Sequence, residues 1–410
     1  MSGTEEFRAE STIGERIRRL RKKVGMTQDE LAAAAGVSTD LIRKLEQGQR
    51  HTASLASLSR IARALGVSIA ALLGPAPPAA SAEQHQPQII AIRDALTSVD
   101  DILGELDDVD APDLAELAHA VAHAWGMYWA CRYTTLAAML PRLLTDTRAA
   151  THAATAAEAG RAADLAAQVH QITARTLVQF DKADLGHVAA REALRLAGRA
   201  GDPLRLAAVR EVLGFVLVRQ GRYDDAERVA VVTATQLEPT GQVSTAHWSV
   251  YGGLLLRRAT SAARQGRSGT ATDLLTEAAE ATQQTGGNRI DYDLRFGPSF
   301  LVMQSTDCAV VTGDYVAAAE ASRRMPRGSA LPLVSRSRHL ADVAHAQLRL
   351  GRIQAAESTL LTMERAAPEW TALHRLPRVL VGELLTRGRP STRLRELAQR
   401  LHAAPAPRGG

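Results

Sequence analysis

Aromatic residues are scarce in this 410-residue chain, at 4% of the total, and strand-like alternation is almost absent. Runs in which β-branched residues alternate with polar ones are the usual mark of a half-buried strand. Alanine, leucine and arginine dominate instead, and they favour helix because they lose little side-chain freedom there. Hydrophobic residues make up 46% of the chain, which is enough for several packed cores. The sequence therefore predicts an all-α protein.

Cysteine is also rare, because the chain contains only Cys131 and Cys308, and neither belongs to a Cys-x-x-Cys pair. A secreted disulfide scaffold needs more, so we expect a reducing compartment. The N-terminus lacks the basic start and apolar run of a signal peptide. No stretch approaches the roughly 18 apolar residues that a membrane-spanning helix needs. These absences predict a cytoplasmic protein without a membrane partner.

Motifs for catalysis and metal binding are missing from the sequence as well. It contains no Gly-x-x-x-x-Gly-Lys-Ser/Thr phosphate loop, no Gly-x-Ser-x-Gly elbow and no convincing nucleophile–base pair. His119 and His123 stand four residues apart, but Ala120 occupies the position where a zinc protease needs Glu. We therefore expect no enzyme activity, no cofactor and no metal site.

Charge and composition divide the chain into segments. Residues 1–74 carry a net charge of +4, whereas residues 75–118 carry −9. A stretch rich in proline and alanine follows Gly74, and this composition is typical of a semi-rigid linker. We predict an N-terminal domain over 10–74, a linker over 75–88, a helical domain over 89–402 and a disordered tail over 403–410.

A turn motif recurs in the long C-terminal part. Glycine followed by alanine five residues later occurs at Gly221, Gly266, Gly313 and Gly351, at spacings of 45, 47 and 38 residues. Each glycine follows one apolar helical pattern and precedes another, so it would end the first helix while the alanine allows close packing. Helix pairs of this period stack into an α-solenoid. The pattern resembles degenerate tetratricopeptide repeats, and the alternative is an ordinary helical bundle.

The most specific motif lies within residues 27–50. Thr27, followed by Glu three residues later, is a capping box that begins a short helix. Gly36 breaks that helix, and Ser38 caps a second one that runs to about Gln47. Two short helices joined by a glycine turn, the second polar and basic on its outer face, form a helix-turn-helix.

The segment resembles the phage-repressor-like Xre family. Thr-Gln-x-x-Leu-Ala from Thr27, Gly-Val-Ser from Gly36 and Glu-x-Gly-x-Arg from Glu46 carry a resemblance that spans residues 13–73. It implies a five-helix bundle, closed by a helix over 67–73, that binds double-stranded DNA. It further implies a homodimer on an operator of two half-sites. The residues that the resemblance places against DNA are Gln28, Thr39, Asp40, Arg43, Lys44, Gln47, Gln49 and Arg50.

These residues have different expected roles. Thr39 and Asp40 would reach base edges, and Arg43 and Lys44 would meet bases or phosphates. Gln28 would hold a phosphate and brace the second helix, and the three residues after that helix would also meet phosphates. Asp40 departs from the neutral polar residue often found there. A carboxylate accepts from cytosine N4 but repels phosphate, and the alternative is an acid placed to suit the helix dipole.

The C-terminal part resembles the helical sensor regions of actinobacterial Xre-type regulators. Tyr128-Trp129-x-x-Arg132-Tyr133 and Phe296-Gly297-Pro298 carry the likeness. Its layout is also similar to that of peptide-sensing regulators of Gram-positive bacteria, which implies a peptide or small effector in a concave groove. The candidate effector-binding residues are Trp248, Tyr251, Asn288 and Arg289, for which packing and loop charge are the alternatives.

Together these patterns predict a sequence-specific DNA-binding transcription regulator. Its N-terminal helices are too short for a large interface of their own, so dimerisation is assigned to the repeats. The repeats would also sense the effector. The alternative is a helical-repeat protein-interaction scaffold whose N-terminal domain no longer binds DNA. A hydrolase within the helical part has no constellation of residues to support it.

Overall fold

The computed structural model describes residues 12–49, 53, 55–67, 72, 85–99, 103, 111–329, 331–387 and 389–405. The N-terminal domain contains α1 (Ile13–Lys23), α2 (Gln28–Ala35), α3 (Thr39–Glu46) and α4 (Leu55–Ala64). Capping boxes begin α1 and α2, and Gly36 ends α2 with φ +60°. The helix predicted over 67–73 and the Pro/Ala-rich linker fall mostly outside the described residues.

Helix α1 packs unusually closely against the end of α3. A Cβ atom on Gly14 would lie 1.8 Å from the carbonyl oxygen of Leu45, so only glycine fits there. Ile17, Ile42 and Ile61 are fully buried beneath this crossing and join α1, α3 and α4 in one small core. The close approach fixes α3 against the rest of the domain.

Helix pairs build the C-terminal part, which we call the repeat array (residues 85–405). The first helix of each pair is called an A helix and the second a B helix. After α5 (Gln86–Leu96), the pairs are α6 (Leu114–Trp129) with α7 (Tyr133–Ala153), α8 (Ala159–Gln179) with α9 (Ala183–Ala200), α10 (Pro203–Arg219) with α11 (Tyr223–Gln236), α12 (Thr245–Arg264) with α13 (Ser268–Thr285), α14 (Pro298–Thr312) with α15 (Tyr315–Arg323), and α16 (Leu333–Arg349) with α17 (Ile353–Ala366). Three shorter helices follow: α18 (Pro368–Leu373), α19 (Arg375–Thr386) and α20 (Thr392–Arg400). The prediction of an all-α fold built from stacked helix pairs is confirmed.

The turn inside each pair contains a residue in the left-handed region, where glycine is favoured. The four predicted glycines occupy it at φ values from +75° to +88°. Cys131 and Asp181 occupy the same position in the first two pairs, at +57° and +59°. The alanine five residues after each glycine is buried, which lets the B helix pack closely on its A helix.

A two-stranded hairpin, which was not predicted from the sequence, interrupts the helices between α13 and α14. β1 (Arg289–Asp291) pairs antiparallel with β2 (Leu294–Phe296), and Tyr292 and Asp293 form the turn with positive φ at both positions. Positive φ at both central positions defines a type I′ turn, whose twist matches that of the two flanking strands. Phe296 is fully buried against Gly252 of α12, where an added Cβ would lie 2.1 Å from its ring.

The array closes on itself. Successive A helices contact one another from α6 to α16, and α16 in turn contacts α6. The backbone amide and the hydroxyl of Thr134, on α7, both donate to Glu369 Oε2 of α18, at 2.9 and 3.2 Å. Buried residues from both ends, such as Leu136 and Leu380, belong to one continuous core. The A helices therefore face an inner surface of the array.

The N-terminal domain rests on the array through α4, which contacts α12 and α14. A Cβ atom on Gly266, in the turn after α12, would lie 3.7 Å from the guanidinium carbon of Arg60. Arg63 Nη2 lies 4.0 Å from Asp224 Oδ1, next to the turn after α10. Helix α4 therefore meets the array at the turns inside its helix pairs.

Candidate nucleic-acid interface

Helix α3 presents a polar outer face. Ser38 caps its first turn by accepting from the Leu41 amide, and Ile42 and Leu45 turn into the core. The outer face carries four exposed side chains: Thr39, Asp40, Arg43 and Lys44. Together they form the surface that we call the readout face. A helix of this length with a polar, partly basic face can enter a major groove and reach base edges and phosphates.

Asp40 pairs with both cations of the readout face. Its two carboxylate oxygens lie 2.7 Å from Arg43 Nη2 and 2.7 Å from Lys44 Nζ. Hydrogen bonds from Lys44 and then Arg43 lower the pKa of Asp40. The carboxylate therefore stays charged, and it offsets part of the positive charge that DNA would meet.

A buried carboxylate holds α3 in place from behind. Glu46, at the end of α3, accepts two hydrogen bonds from Arg21 of α1, at 2.7 and 2.8 Å, and a third from Gln28 Nε2, at 2.8 Å. Burial raises the pKa of Glu46, but the bonds from Arg21 and Gln28 outweigh burial and leave the pKa below its usual value. Gln28 thus braces α3, and its phosphate contact stays a prediction.

The remaining predicted DNA-binding residues surround the readout face. Gln47 and Gln49 are exposed in the turn after α3, and Arg50 lies outside the described residues. On α1, Arg16 donates to the Leu72 carbonyl oxygen at 2.7 Å and Arg21 is committed to Glu46, so two cations are held by the fold. The other cations of α1 remain exposed: Arg18, Arg19, Lys22 and Lys23.

Comparison with known proteins identifies the class of this domain. The helix-turn-helix family model matches residues 17–72, and the domain is a DNA-binding helix-turn-helix of the Xre type. The chain is 38% identical over 63 residues to an uncharacterised HTH-type transcriptional regulator, y4dJ, of Sinorhizobium fredii, covering 15% of this chain and 80% of that one. Through this domain the chain belongs to the helix-turn-helix transcriptional regulators.

Two further relatives match the same domain. An uncharacterised HTH-type transcriptional regulator of Methanothermobacter thermautotrophicus is 52% identical over 50 residues, which are 12% of this chain and 71% of that one. The immunity repressor protein of Bacillus phage phi105 is 36% identical over 63 residues, 15% of this chain. The chain spans 43% of the length of that repressor.

Among the similar solved structures is one that aligns with most of the chain. It is the crystal structure of a Rap protein complexed with competence and sporulation factor. The match covers 91% of this chain and 90% of the Rap chain. The TM-score is 0.44 and the sequence identity is 12%.

The four candidate effector-binding residues all contact other parts of the array. Tyr251 is buried and donates to Glu277 of α13 at 2.5 Å, and the ring of Trp248 packs edge-on against it. Asn288 caps α14 by accepting from the Ser299 amide at 3.0 Å. Arg289 pairs with Asp291 on the same strand, at 2.8 Å. An effector that binds these side chains would have to replace those contacts.

Membrane spans and metal clusters are both missing from the described part of the chain. None of its helices is both long enough and apolar enough to cross a bilayer. Within the same residues, no three His, Cys, Asp or Glu side chains lie close enough together to hold a metal ion.

Proposed function

We propose that this protein is a cytoplasmic transcription regulator that binds a specific DNA operator through α3. The observation that carries the proposal is the exposed readout face, held rigid by the buried Arg21–Glu46–Gln28 cluster. Thr39 and Asp40 stand at the N-terminal end of α3, where base edges are reached. Arg43 and Lys44 then meet guanine or phosphate, and Gln47, Gln49 and Arg50 meet phosphates.

The proposed active form is a homodimer on two half-sites. A helix of eight residues reaches only a few base pairs, so one N-terminal domain supplies limited specificity. Two copies, one helical turn of DNA apart, double the contacts. The array offers far more surface for pairing than the N-terminal domain does. Light scattering that gives a monomer, together with one chain per DNA molecule, would count against the dimer.

The array is proposed to be the sensor for a peptide or small effector, as in the actinobacterial regulators that it resembles. We keep the proposed limits of 10–74 for the DNA-binding domain and 89–402 for the sensor. Stacked helix pairs give a curved inner surface able to hold a ligand. Because α4 rests on the turns after α10 and α12, a shift of those helices would move the readout face. Effector binding would thereby change how two copies match an operator.

Footprinting of the full chain across its own gene neighbourhood tests DNA binding. We expect a protected site for the natural chain and none after Arg43→Ala with Lys44→Ala. The matched control, Arg142→Ala with Arg228→Ala, removes two exposed cations from the array and should keep the footprint. A footprint that survives the α3 substitutions refutes the role of α3. No footprint at physiological salt supports the scaffold alternative.

A further inference from the structure

The N-terminal domain is built as one rigid unit. Gly14 of α1 lies so close to Leu45 of α3 that no larger residue fits, and Ile61 of α4 is fully buried in the same core. Glu46 ties α1 and α2 to the end of α3. Closely packed interiors of this kind transmit displacement instead of absorbing it. A movement that turns α4 therefore turns α3 and the readout face with it.

Arg60 of α4 connects two glycine turns, one in each part of the chain. Its Nη1 donates to the carbonyl oxygen of Gly36 at 3.1 Å, in the turn between α2 and α3. The same guanidinium lies against Gly266, in the turn after α12, where an added Cβ would be 3.7 Å from its carbon. The guanidinium is planar and rigid, so it holds both contacts in a fixed relation. One side chain thus contacts the turn that precedes α3 and a turn of the array.

A second arginine, three residues further along α4, faces the neighbouring helix pair. Arg63 Nη2 lies 4.0 Å from Asp224 Oδ1, at the start of α11. Glu227, also on α11, accepts from Gln265 Nε2 at 3.0 Å and from Arg267, so it ties α11 to the turn after α12. The two turns that α4 contacts are therefore connected, and we call them the platform: residues 224–227 and 265–267.

The readout face stays open while α4 rests on the platform. All four of its side chains are exposed although the domain is docked. Docking therefore does not cover the side chains that are proposed to read DNA. It fixes the direction in which α3 points relative to the array.

The charged contacts of this interface are weak. The side chains of Arg63 and Asp224 are each more than half exposed, so water screens the pair. The Nε atom of Arg60 is buried and has no hydrogen-bond partner in the part of the chain that the structure describes. A buried donor without an acceptor costs stability. Docking is therefore marginal, and a small shift of the platform is enough to change the balance between docked and released domains.

We propose that α4 and the platform form a joint that sets which spacing of DNA half-sites the protein accepts, with Arg60 as its positioning residue. The proposal rests on the proposed function, because it concerns how the same readout face is positioned in a dimer. A docked domain points α3 in one direction, so two copies match half-sites at one separation and one rotation around the DNA. A released domain is tethered only by the chain that connects it to the array, and it reaches half-sites at many separations.

Distances between two spin labels in the full chain, without DNA, test the joint. The labels replace two exposed acids, through Asp29→Cys on α2 and Asp273→Cys on α13, and both natural cysteines are buried. Double electron–electron resonance should give one narrow distance distribution for this chain. Arg60→Ala should broaden the distribution, because the domain is released. A distribution that is broad from the start, or one that Arg60→Ala leaves narrow and unshifted, overturns the proposal.

The pair formed by Arg63 and Asp224 gives a test that leaves the core of the N-terminal domain untouched. Arg63→Glu places two acids together and should broaden the distribution, and adding Asp224→Arg should narrow it again. Glu280→Arg, which reverses an exposed acid elsewhere on α13, is the control for added charge and should change nothing. A distribution that the second substitution fails to narrow overturns the platform as the partner of α4.

Binding to altered operators tests the consequence for DNA. The probes are the footprinted operator, a single half-site, and the operator with roughly 5 base pairs inserted between its half-sites, about half a helical turn. The natural chain should bind the lengthened operator at least about tenfold more weakly than the original. Arg60→Ala should reduce this penalty to less than about threefold and leave the affinity for the single half-site unchanged. An equal penalty in both chains, or a loss of half-site binding in Arg60→Ala, overturns Arg60 as the positioning residue.

The joint and the proposed DNA binding fail in different measurements. The spin-label distances need no DNA, whereas the footprint does not depend on docking. A missing footprint with the expected spin-label response removes DNA binding and leaves the docking of α4. A footprint without the spin-label response removes the joint and leaves DNA binding.

Discussion

Asp40 pairs with two cations at once, so in the proposed complex it would set how much positive charge α3 offers to DNA. All three side chains are about half exposed, at 49% for Asp40, 54% for Arg43 and 46% for Lys44, so water screens the pairs and makes them weak. In the proposed complex, phosphates would draw the cations away. Asp40 would then lie near the DNA with either a cytosine amino group as partner or none.

Asp40→Ala distinguishes these two situations. If Asp40 has no partner on DNA, the change removes repulsion and frees two cations. Binding to non-specific DNA should then tighten by roughly threefold to tenfold, with a steeper salt dependence. Fluorescence anisotropy over a salt series measures both quantities. Asp94→Ala, an exposed acid on α5, is the control for net charge. Weaker binding confined to the operator would instead show that Asp40 reads a base.

Glu46→Ala should destabilise the N-terminal domain far more than the removal of an exposed acid does. The change leaves Arg21, whose side chain is 11% exposed, and Gln28 without their shared acceptor. Breaking a buried ion pair from one side costs about 3–5 kcal/mol. Hydrogen exchange in the full chain should show faster exchange in α1 and α3. Asp29→Ala, an exposed acid on α2, should leave both helices protected. Equal protection in the two variants would contradict this account.

For single residues, the sequence predicted which side chains lie on the readout face but not which side chains pair with one another. The readout face follows from the periodicity of α3 and from the motif at Thr27, so the sequence alone was enough to predict it. Glu46 was identified only as part of the Glu-x-Gly-x-Arg motif, and Arg21 was given no role of its own. Their pairing joins positions 25 residues apart, and no local pattern encodes that contact.

Among the secondary-structure elements, the β-hairpin is held in place by two close contacts with neighbouring helices. The ring of Phe296 fills the space beside Gly252 on α12, and Arg205 of α10 donates to Asp293 Oδ2 at 2.9 Å and to the Tyr292 carbonyl at 3.2 Å. The hairpin is thus held at its base by an aromatic ring and at its tip by a guanidinium. Together they hold the strands against two A helices.

Gly252→Ala should destabilise the array, whereas Gly253→Ala should not. An alanine Cβ at 252 would overlap the Phe296 ring, and overpacking of this kind costs about 1–3 kcal/mol. At 253 the nearest atom is Leu294 Cδ1, at 3.7 Å, so alanine fits and favours helix by about 0.5–1 kcal/mol. Chemical unfolding of both variants gives the comparison. Equal stability of the two would mean that Phe296 moves aside without cost.

The helix pairs were more predictable than the hairpin for a physical reason. Glycine marks four of the six left-handed turns, and long apolar patterns on either side reveal the helices. Cys131 and Asp181 adopt the same conformation at an energetic cost that tertiary packing must offset, so composition does not reveal them. Apolar residues do alternate with charged ones from Arg289 to Phe296, but the alternation runs unbroken through the turn, and Tyr-Asp is not a typical hairpin turn pair, so no hairpin was predicted.

For the molecule as a whole, buried imidazoles predict a loss of stability in acid. Burial lowers the pKa of His339 and His345 to about 4, and burial with nearby Arg219 lowers that of His374 to about 3. The unfolded chain takes up these protons near pH 6.5 and the folded chain does not. Folding stability therefore falls as the pH is lowered from about 6.5 towards 4.

Asp342 opposes this trend over part of the range. Burial raises its pKa to about 6, so the folded chain keeps a proton that the unfolded chain releases near pH 3.9. The stabilisation that comes from this retained proton is therefore lost as the pH rises from about 3.9 to about 6.

Burial also raises the pKa of Asp293, and it lowers the pKa of two further imidazoles, His170 and His187. Five imidazoles outnumber two carboxyls, and we expect Tm to fall from pH 6.5 to 4.5 in calorimetry. His339→Leu should make the fall shallower, and exposed His119→Gln should not. A Tm that is flat or rises on acidification would contradict this balance.

The hydrogen bonds between Thr134 and Glu369, which we call the seam, close the array and also affect how the chain folds during synthesis. Most contacts of a repeat protein join neighbours, so helix pairs can form one after another as they leave the ribosome. The seam joins residues 235 positions apart and cannot form until the last pairs have been synthesised. Until then the apolar surfaces of α6 and α7 that face α16 and α18 stay open to water. A nascent or prematurely terminated chain would expose them, and would be a substrate for chaperones and proteases that the finished array is not.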